Sequence, residues 1–326
     1  MSSLEKILQP LLYVIRHQKK MLALALASAL FFSIVFFPYD DLSDLISELI
    51  AKNSQNQVFV QFDQLGIGFL PPSVKMSNVE VDTPLLPTLK AGALYLAPSI
   101  AGFLAFSPGF SATIQDVLKG DLSLSYRGGK KVNNDLRMQK VSLDVSKVDL
   151  SELSKYASLP CKLEGPLSMQ VDSEVDPSFV EQPDGEYELS SGKLRVNPCV
   201  LVLQRLPFPI PNINLSQIKI RGTIKAGVLA IEEGVLGKAG DTLHGRFKGR
   251  LGIRLVRSGS QVIPDISSYE FKLDLNIDKS AEKSLGVYLI PFDSYKTVTG
   301  AGARYALTLS APNTQTPPNA SPLGNF

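Results

Sequence analysis

Tyr269-Glu270-Phe271-Lys272-Leu273-Asp274-Leu275-Asn276-Ile277 alternates apolar and polar side chains without a break. A period of two places the aromatic and aliphatic residues on one side of an extended chain and the charges on the other, which is the pattern of a half-buried strand. The same period returns at residues 58–62, 74–81, 122–126, 141–145, 167–175, 187–196, 218–224, 243–255 and 305–309. Roughly a dozen strands are expected, with few helical patterns between them to make parallel crossovers. The fold class that follows is mainly β, a large and mostly antiparallel domain, either a curved open sheet or a sandwich. Glycine and proline punctuate it at Phe69-Leu70-Pro71-Pro72, Arg127-Gly128-Gly129 and Lys238-Ala239-Gly240-Asp241, as turns require.

Upstream of the strands the pattern is different. From Met21 to Phe37 the chain reads MLALALASALFFSIVFF, with no charge and only Ser28 and Ser33 polar. Met21, Leu22, Leu24, Leu26, Leu30, Phe31, Phe32, Ile34, Val35, Phe36 and Phe37 make this run a membrane anchor near the lower length limit for spanning a bilayer. Phe37-Pro38-Tyr39-Asp40 follows it, without the small residues of a signal-peptidase site, so an uncleaved anchor is expected. Arg16, Lys19 and Lys20 precede the run and Asp40, Asp41 and Asp44 follow it, which orients the N-terminus to the cytoplasm. Leu4, Ile7, Leu8, Leu11, Leu12 and Ile15 recur at helical spacing before the anchor, interrupted by Pro10. Leu42, Leu45, Ile46, Leu49 and Ile50 do so after it. The chain then divides into a cytoplasmic segment (1–20), a transmembrane anchor (21–38), a juxtamembrane helix (39–53), a β domain on the far side of the membrane (54–310) and a proline-rich, disordered tail (311–326).

Composition limits the chemistry. Of 326 residues, 44% are hydrophobic and 20% charged, with 33 Lys and Arg against 31 Asp and Glu. Removing the first 37 residues, with their four cations and single acid, leaves 29 basic against 30 acidic residues. A charge so balanced gives no field to hold nucleic acid. With two histidines, two cysteines and no tryptophan, a His/Cys metal site is not expected, nor a bound cofactor. His244 stands in an alternating strand without a nucleophile elbow, and no carboxylate pair is marked by its context, so no enzyme is expected. Gly245, Gly249 and Gly252 lie inside the same strand pattern and serve to bend or bulge it.

Three features admit two readings each. Arg246, Lys248, Arg250 and Arg254 fall on one face of the strand at 243–255. They form either a contact for an acidic partner or lipid headgroups, or an ordinary solvated face. Leu206-Pro207-Phe208-Pro209-Ile210-Pro211 is too proline-rich for a sheet centre and reads as a core-covering loop or a docking edge. Cys161 and Cys199 either pair as a disulfide in an oxidising compartment or remain two buried thiols.

The anchor ending in Phe36-Phe37-Pro38-Tyr39-Asp40, the helix after it, and the run Gly227-Val-Leu-Ala-Ile-Glu-Glu-Gly-Val-Leu-Gly-Lys-Ala-Gly-Asp241-Thr-Leu-His-Gly245 resemble the general secretion pathway protein N of bacterial type II secretion, in the branch seen in delta-proteobacteria and spirochaetes. The resemblance implies a subunit anchored in the inner membrane with its main domain in the periplasm, an adaptor or assembly component among other type II secretion subunits. A more distant resemblance to AsmA-type proteins implies an alternative, an open β structure that handles phospholipid or lipopolysaccharide. Neither carries a catalytic motif onto this chain. Alternation alone does not separate a filled core from a groove, but an apolar face without a covering layer would mark the groove.

Overall fold

The structure is a computed structural model that describes residues 19–35, 42–54, 57–69, 72–84, 86–99, 102, 107–131, 137–177, 179–203, 206–258, 261–313 and 315–325. The amphipathic segment expected around residues 4–15 lies outside the described residues, as does 36–41 at the end of the expected anchor. Two helices lead in. Helix α1 spans Lys19–Val35 and has 17 residues; among the described residues, no helix is long and apolar enough to cross a membrane. The spanning helix expected over 21–38 is therefore seen only as this shorter helix, whose Met21 and Leu24 are each 69% exposed. Helix α2, Ser43–Asn53, carries the apolar spacing expected after the anchor, and Asp44 lies in its first turn.

Among the described residues twenty-one strands follow, nearly twice the number expected. The first seven are β1 (Phe59–Gln61), β2 (Gln64–Phe69), β3 (Pro72–Thr83), β4 (Leu86–Pro98), β5 (Gly109–Val117), β6 (Gly120–Lys131) and β7 (Arg137–Asp149). Helix α3 (Leu150–Tyr156) and β8 (Leu163–Glu164) precede β9 (Pro166–Val175) and β10 (Asp184–Ser191). Four short strands come next, β11 (Leu194–Val196), β12 (Cys199–Leu203), β13 (Leu206–Ile210) and β14 (Ile213–Leu215). Then come β15 (Ile218–Lys225), β16 (Val228–Leu236), β17 (Leu243–Ser258) and β18 (Gln261–Asp278). Helix α4 (Lys279–Leu289) runs into a 3-10 turn at Ile290–Tyr295, before β19 (Lys296–Thr299), β20 (Gly302–Ala311) and β21 (Asn319–Pro322). Among the strands missed in the sequence, β4 carries small or apolar residues at both parities, which hides the period of two.

Sixteen strands form one antiparallel sheet in the order β1-β3-β4-β5-β6-β7-β9-β10-β15-β16-β17-β18-β20-β19, with β2 beside β3 and β21 beside β20. Among the described residues its ends do not pair with each other, so it is an open meander. Elements inserted between consecutive sheet strands collect on one rim: α3 and β8, the small sheet β14-β11-β8 with the β12–β13 hairpin, and α4 with its 3-10 turn. The opposite rim has turns and strand ends, such as Lys225 to Val228 with Ala226 and Gly227 at φ 50° and 77°.

The turn from β5 to β6 shows how local strain is offset. Leu118 and Lys119 both take left-handed conformations, φ 50° and 61°, as a two-residue hairpin turn demands. Leu118 packs on the core at this end of the sheet. Lys119 Nζ reaches Glu152 at 2.9 Å and Asp149 at 3.4 Å. Asp149 caps α3 by accepting from the Ser151 N–H; that bond, with Lys119, holds its carboxyl below the usual range.

Three expectations are corrected. The segment at 187–196 is not one strand: it divides at Gly192 into β10 of the main sheet and β11 of the small one. The proline-rich stretch around Leu206 is not a loop but an edge strand, one arm of a hairpin, with Val202 opposite Pro207 and Val200 opposite Pro209. A two-stranded ribbon has an unpaired side that tolerates prolines. The tail is ordered in part. β21 pairs with β20 from Leu307↔Pro322 to Ser310↔Asn319, and Tyr295 donates its hydroxyl to the Ala320 carbonyl at 2.8 Å.

Candidate functional site

Paired residues in adjacent strands share a face, so the register assigns every side chain to one side of the sheet. One row runs Leu96, Ala112, Leu124, Leu143, Val171, Tyr187, Gly222, Ile231, Gly249, Phe271, Leu309. The next runs Ile114, Leu122, Val145, Met169, Leu189, Ile220, Gly234, Phe247, Leu273, Leu307. The other face in the same strands carries Ser125, Ser142, Asp172, Glu186, Thr223, Ala230, Arg250 and Glu270. One side is thus apolar across ten strands from β5 to β20, roughly 40 Å along the sheet at about 4.8 Å per strand.

Among the described residues, the ends of this face are covered and its middle is not. At the first end Phe62, Leu65, Met76, Val79, Ala91 and Val117 are buried, with Leu42 and Ile46 packed against them. At the other, Ala303, Tyr305 and Leu307 are buried beneath Leu289, Phe292 and Tyr295. Between them Leu124, Leu143, Val171, Tyr187, Ile220, Ile231 and Phe247 are only half-buried. Among the described residues no large side chain is fully buried, whereas a sandwich would bury both inner faces.

Aromatic rings laid over glycines smooth this floor. A Cβ on Gly249 would stand 2.2 Å from the Phe271 ring, and one on Gly234 would stand 2.5 Å from that of Phe247. The cross-strand glycine leaves the space each ring fills, a pairing that also restores packing lost at the glycine. Gly252 lies at a register shift between β17 and β18 and Gly249 borders one between β16 and β17, as a bulging role requires, while Gly245 stays in regular register. Tyr187 donates its hydroxyl to the Ala230 carbonyl at 3.3 Å. Burial, with the charge of Glu232, pushes its phenol up to about 12.

The basic stripe sits on the opposite, polar face. Arg246 is opposite Asp274, Arg250 opposite Glu270 and Arg254 opposite Asp265; Lys248 faces Lys272. Arg304 binds Asp274 through two bonds of 2.7 and 3.0 Å, and Lys272 donates to the Asn325 carbonyl at 2.6 Å. A hollow of about 700 Å³ lies here, lined by Glu232, Lys248, Arg250, Glu270 and Lys272. Its alternating signs make a charge-paired surface rather than a one-sign field. His244 lies opposite Asn276, its Nδ1 buried without a hydrogen-bond partner. Among the described residues no cluster of three His, Cys, Asp or Glu side chains could hold a metal ion.

Cys161 and Cys199 form a disulfide, Cα atoms 5.4 Å apart, that ties the start of the β12–β13 hairpin to the segment before β8. It closes a span of 38 residues. The chain-entropy account assigns such a loop about 4 kcal/mol. Cys161→Ser with Cys199→Ser should lower the denaturant midpoint accordingly, and a dithiothreitol-treated sample should match it.

Residues 18–154 match the family model of type II secretion system protein GspN-like, Synergistales. The matched segment runs from α1 to α3 and includes the first end of the apolar face. It holds the anchor-and-helix part of the sequence resemblance, while the run from Gly227 to Gly245 lies beyond it. The matching model is that of Synergistales, not of the delta-proteobacterial and spirochaete branch, and the AsmA-type resemblance is not returned. Comparison with curated proteins and with solved structures gives no match.

The apolar rows themselves were not assembled from the sequence. Alternation indicates that each strand has an apolar side, but which strands are neighbours depends on the β10-to-β15 and β7-to-β9 connections, where inserted elements intervene.

Proposed function

We propose that this chain is a non-enzymatic protein of the bacterial cell envelope, connected with type II secretion, that holds the acyl chains of phospholipid or lipopolysaccharide on its open apolar face. The single observation that carries this is the half-buried middle of a ten-strand apolar face. Exposed apolar area on this scale costs free energy at about 25 cal/mol per Å² unless something apolar covers it. A bilayer's hydrocarbon core is about 30 Å thick, so the chains of one leaflet reach about half of that; the face accommodates them lengthwise. Residues 21–37 serve as the inner-membrane anchor, α1 together with the two phenylalanines that follow it, and the β domain lies in the periplasm. The family match to residues 18–154 supports the secretion setting.

A second reading is the adaptor. The sheet ends in β1 with β2 on one side and β19 with β21 on the other, and open edges accept strands from partner subunits.

Crosslinking decides between them. The full chain is expressed with a phospholipid carrying a photoactivatable group at the end of its acyl chain, and the adducts are mapped by peptide. Adducts on β7, β9, β10 and β16 are expected. Adducts confined to Lys19–Val35, with secretion subunits captured in the same sample, would reject the lipid reading in favour of the adaptor.

A further inference from the structure

The apolar face is covered unevenly along its strands. On β7, Val141, Leu143 and Val145 are half-buried while Val148 is 6% exposed; on β10, Tyr187 and Leu189 are half-buried while Ser191 is 5% exposed. Val148 pairs with Leu167 and Ser191 with Ile218, so both belong to the apolar face, where it meets the rim that bears α3 and the small sheet. Leu150 at the start of α3 and Leu215 in β14 are buried there too. The Asn214 N–H donates to the Thr242 hydroxyl at 3.4 Å, which holds β14 beside the start of β17. This rim is closed even over the central strands.

The opposite rim differs in cover and in chemistry. The last row of the face on that side runs through Tyr126, Val141, Ser173, Ile224, Leu251 and Tyr269, and none of these six is buried. Phe110, next in the row, is 45% exposed and stacks on Tyr126 with ring centroids 5.3 Å apart. Tyr126, Ser173 and Tyr269 bring hydroxyls to this row, whereas the two rows inside it have only that of Tyr187. A tyrosine suits a boundary of this kind, with its ring on apolar surface and its tip in water.

We infer that acyl chains lie along the strands, their methyl ends at the closed rim and their ester ends at the row of Tyr126, Ser173 and Tyr269, an orientation that rests on the lipid reading above. Across the strands, buried clusters close both ends of the face. That leaves the tyrosine-bearing rim as the side on which a headgroup stays in water while its chains remain on the face. The depth fits. Gly185 to Ser191 on β10 is six residue steps, about 20 Å at about 3.3 Å per step, against about 15 Å for the chains of one leaflet. The occupant is a lipid with chains of one-leaflet length, and the rim that bears turns is the one through which it enters and leaves.

The test uses the full chain in phosphatidylcholine nanodiscs doped with one of two phosphatidylcholine probes, which carry a diazirine either beside the ester or at the terminal methyl of the acyl chain. Adducts are assigned to single residues. Ester-side adducts are expected at Val141, Ile224 and Leu251, and terminal adducts at Val145, Met169 and Leu189. A reversed lipid would bury its ester and phosphate at the closed rim and should be about thirtyfold rarer. If the two probes label both sets of residues in equal proportion, or in the reverse order, the inference is overturned and the lipid reading stands. Adducts from neither probe on the face, with α1 labelled by both, would reject the lipid reading and the inference with it.

Discussion

Leu143→Glu is expected to remove most acyl-chain adducts from β7 through β16 while leaving the sheet folded. Leu143 stands between Leu124 and Val171 in the apolar row, half-buried. A carboxylate there remains close enough to water to stay solvated in the empty protein. When an acyl chain is laid over it that solvation is lost, at roughly 2 kcal/mol, or about thirtyfold in occupancy. Ala230→Glu is the matched control. Ala230 lies on the polar face between Thr223 and Arg250, where a new carboxylate meets a cation and no apolar ligand. Crosslink yields on the β7-to-β16 peptides, normalised to those on α1, should fall for Leu143→Glu and hold for Ala230→Glu. Equal yields in both variants would show that lipid does not lie on this face.

Leu307→Ala should cost about 3 kcal/mol, the range for truncating a buried leucine. Leu307 is 4% exposed and forms with Ala303 and Tyr305 the buried cluster against which Ile277, Leu289, Phe292, Tyr295 and Ala320 pack. The loss should be local. The buried cluster around Leu307 and the one around Met76 have no residue in common, so native-state hydrogen exchange should accelerate in α4, β20 and β21 while β3 and β4 keep their protection. Leu143→Ala supplies the comparison, since a half-buried leucine leaves less packing to lose and should cost about 1 kcal/mol. Equal denaturant-midpoint shifts for the two alanine variants would mean that a second layer covers the middle of the sheet.

Much of this architecture was legible in residue order. The period of two at Tyr269–Ile277, with charges at every alternate position, is enough to define a strand with one wet side, because side-chain direction in an extended chain follows parity alone. The same local logic yields α2 from its i, i+3, i+4 leucines and isoleucines, and the absence of one-sign charge from the count of Lys, Arg, Asp and Glu. Pairing is a different matter. That Cys161 meets Cys199, that Asp274 binds Arg304, and that Phe271 fills the space over Gly249 depend on contacts between residues tens of positions apart. Local propensity does not encode them. A short strand was lost for the same reason: β13 holds two prolines, Pro207 and Pro209, that a central strand would exclude, and only its isolation with β12 as a two-stranded ribbon makes it possible. β21 likewise exists because β20 offers an edge and Tyr295 a hydroxyl donor. The sequence by itself determined that this protein has many strands, each with an apolar side. Tertiary structure decided that those sides join into one face whose ends are covered and whose middle is open, because burial is a property of what packs above a residue and not of the residue.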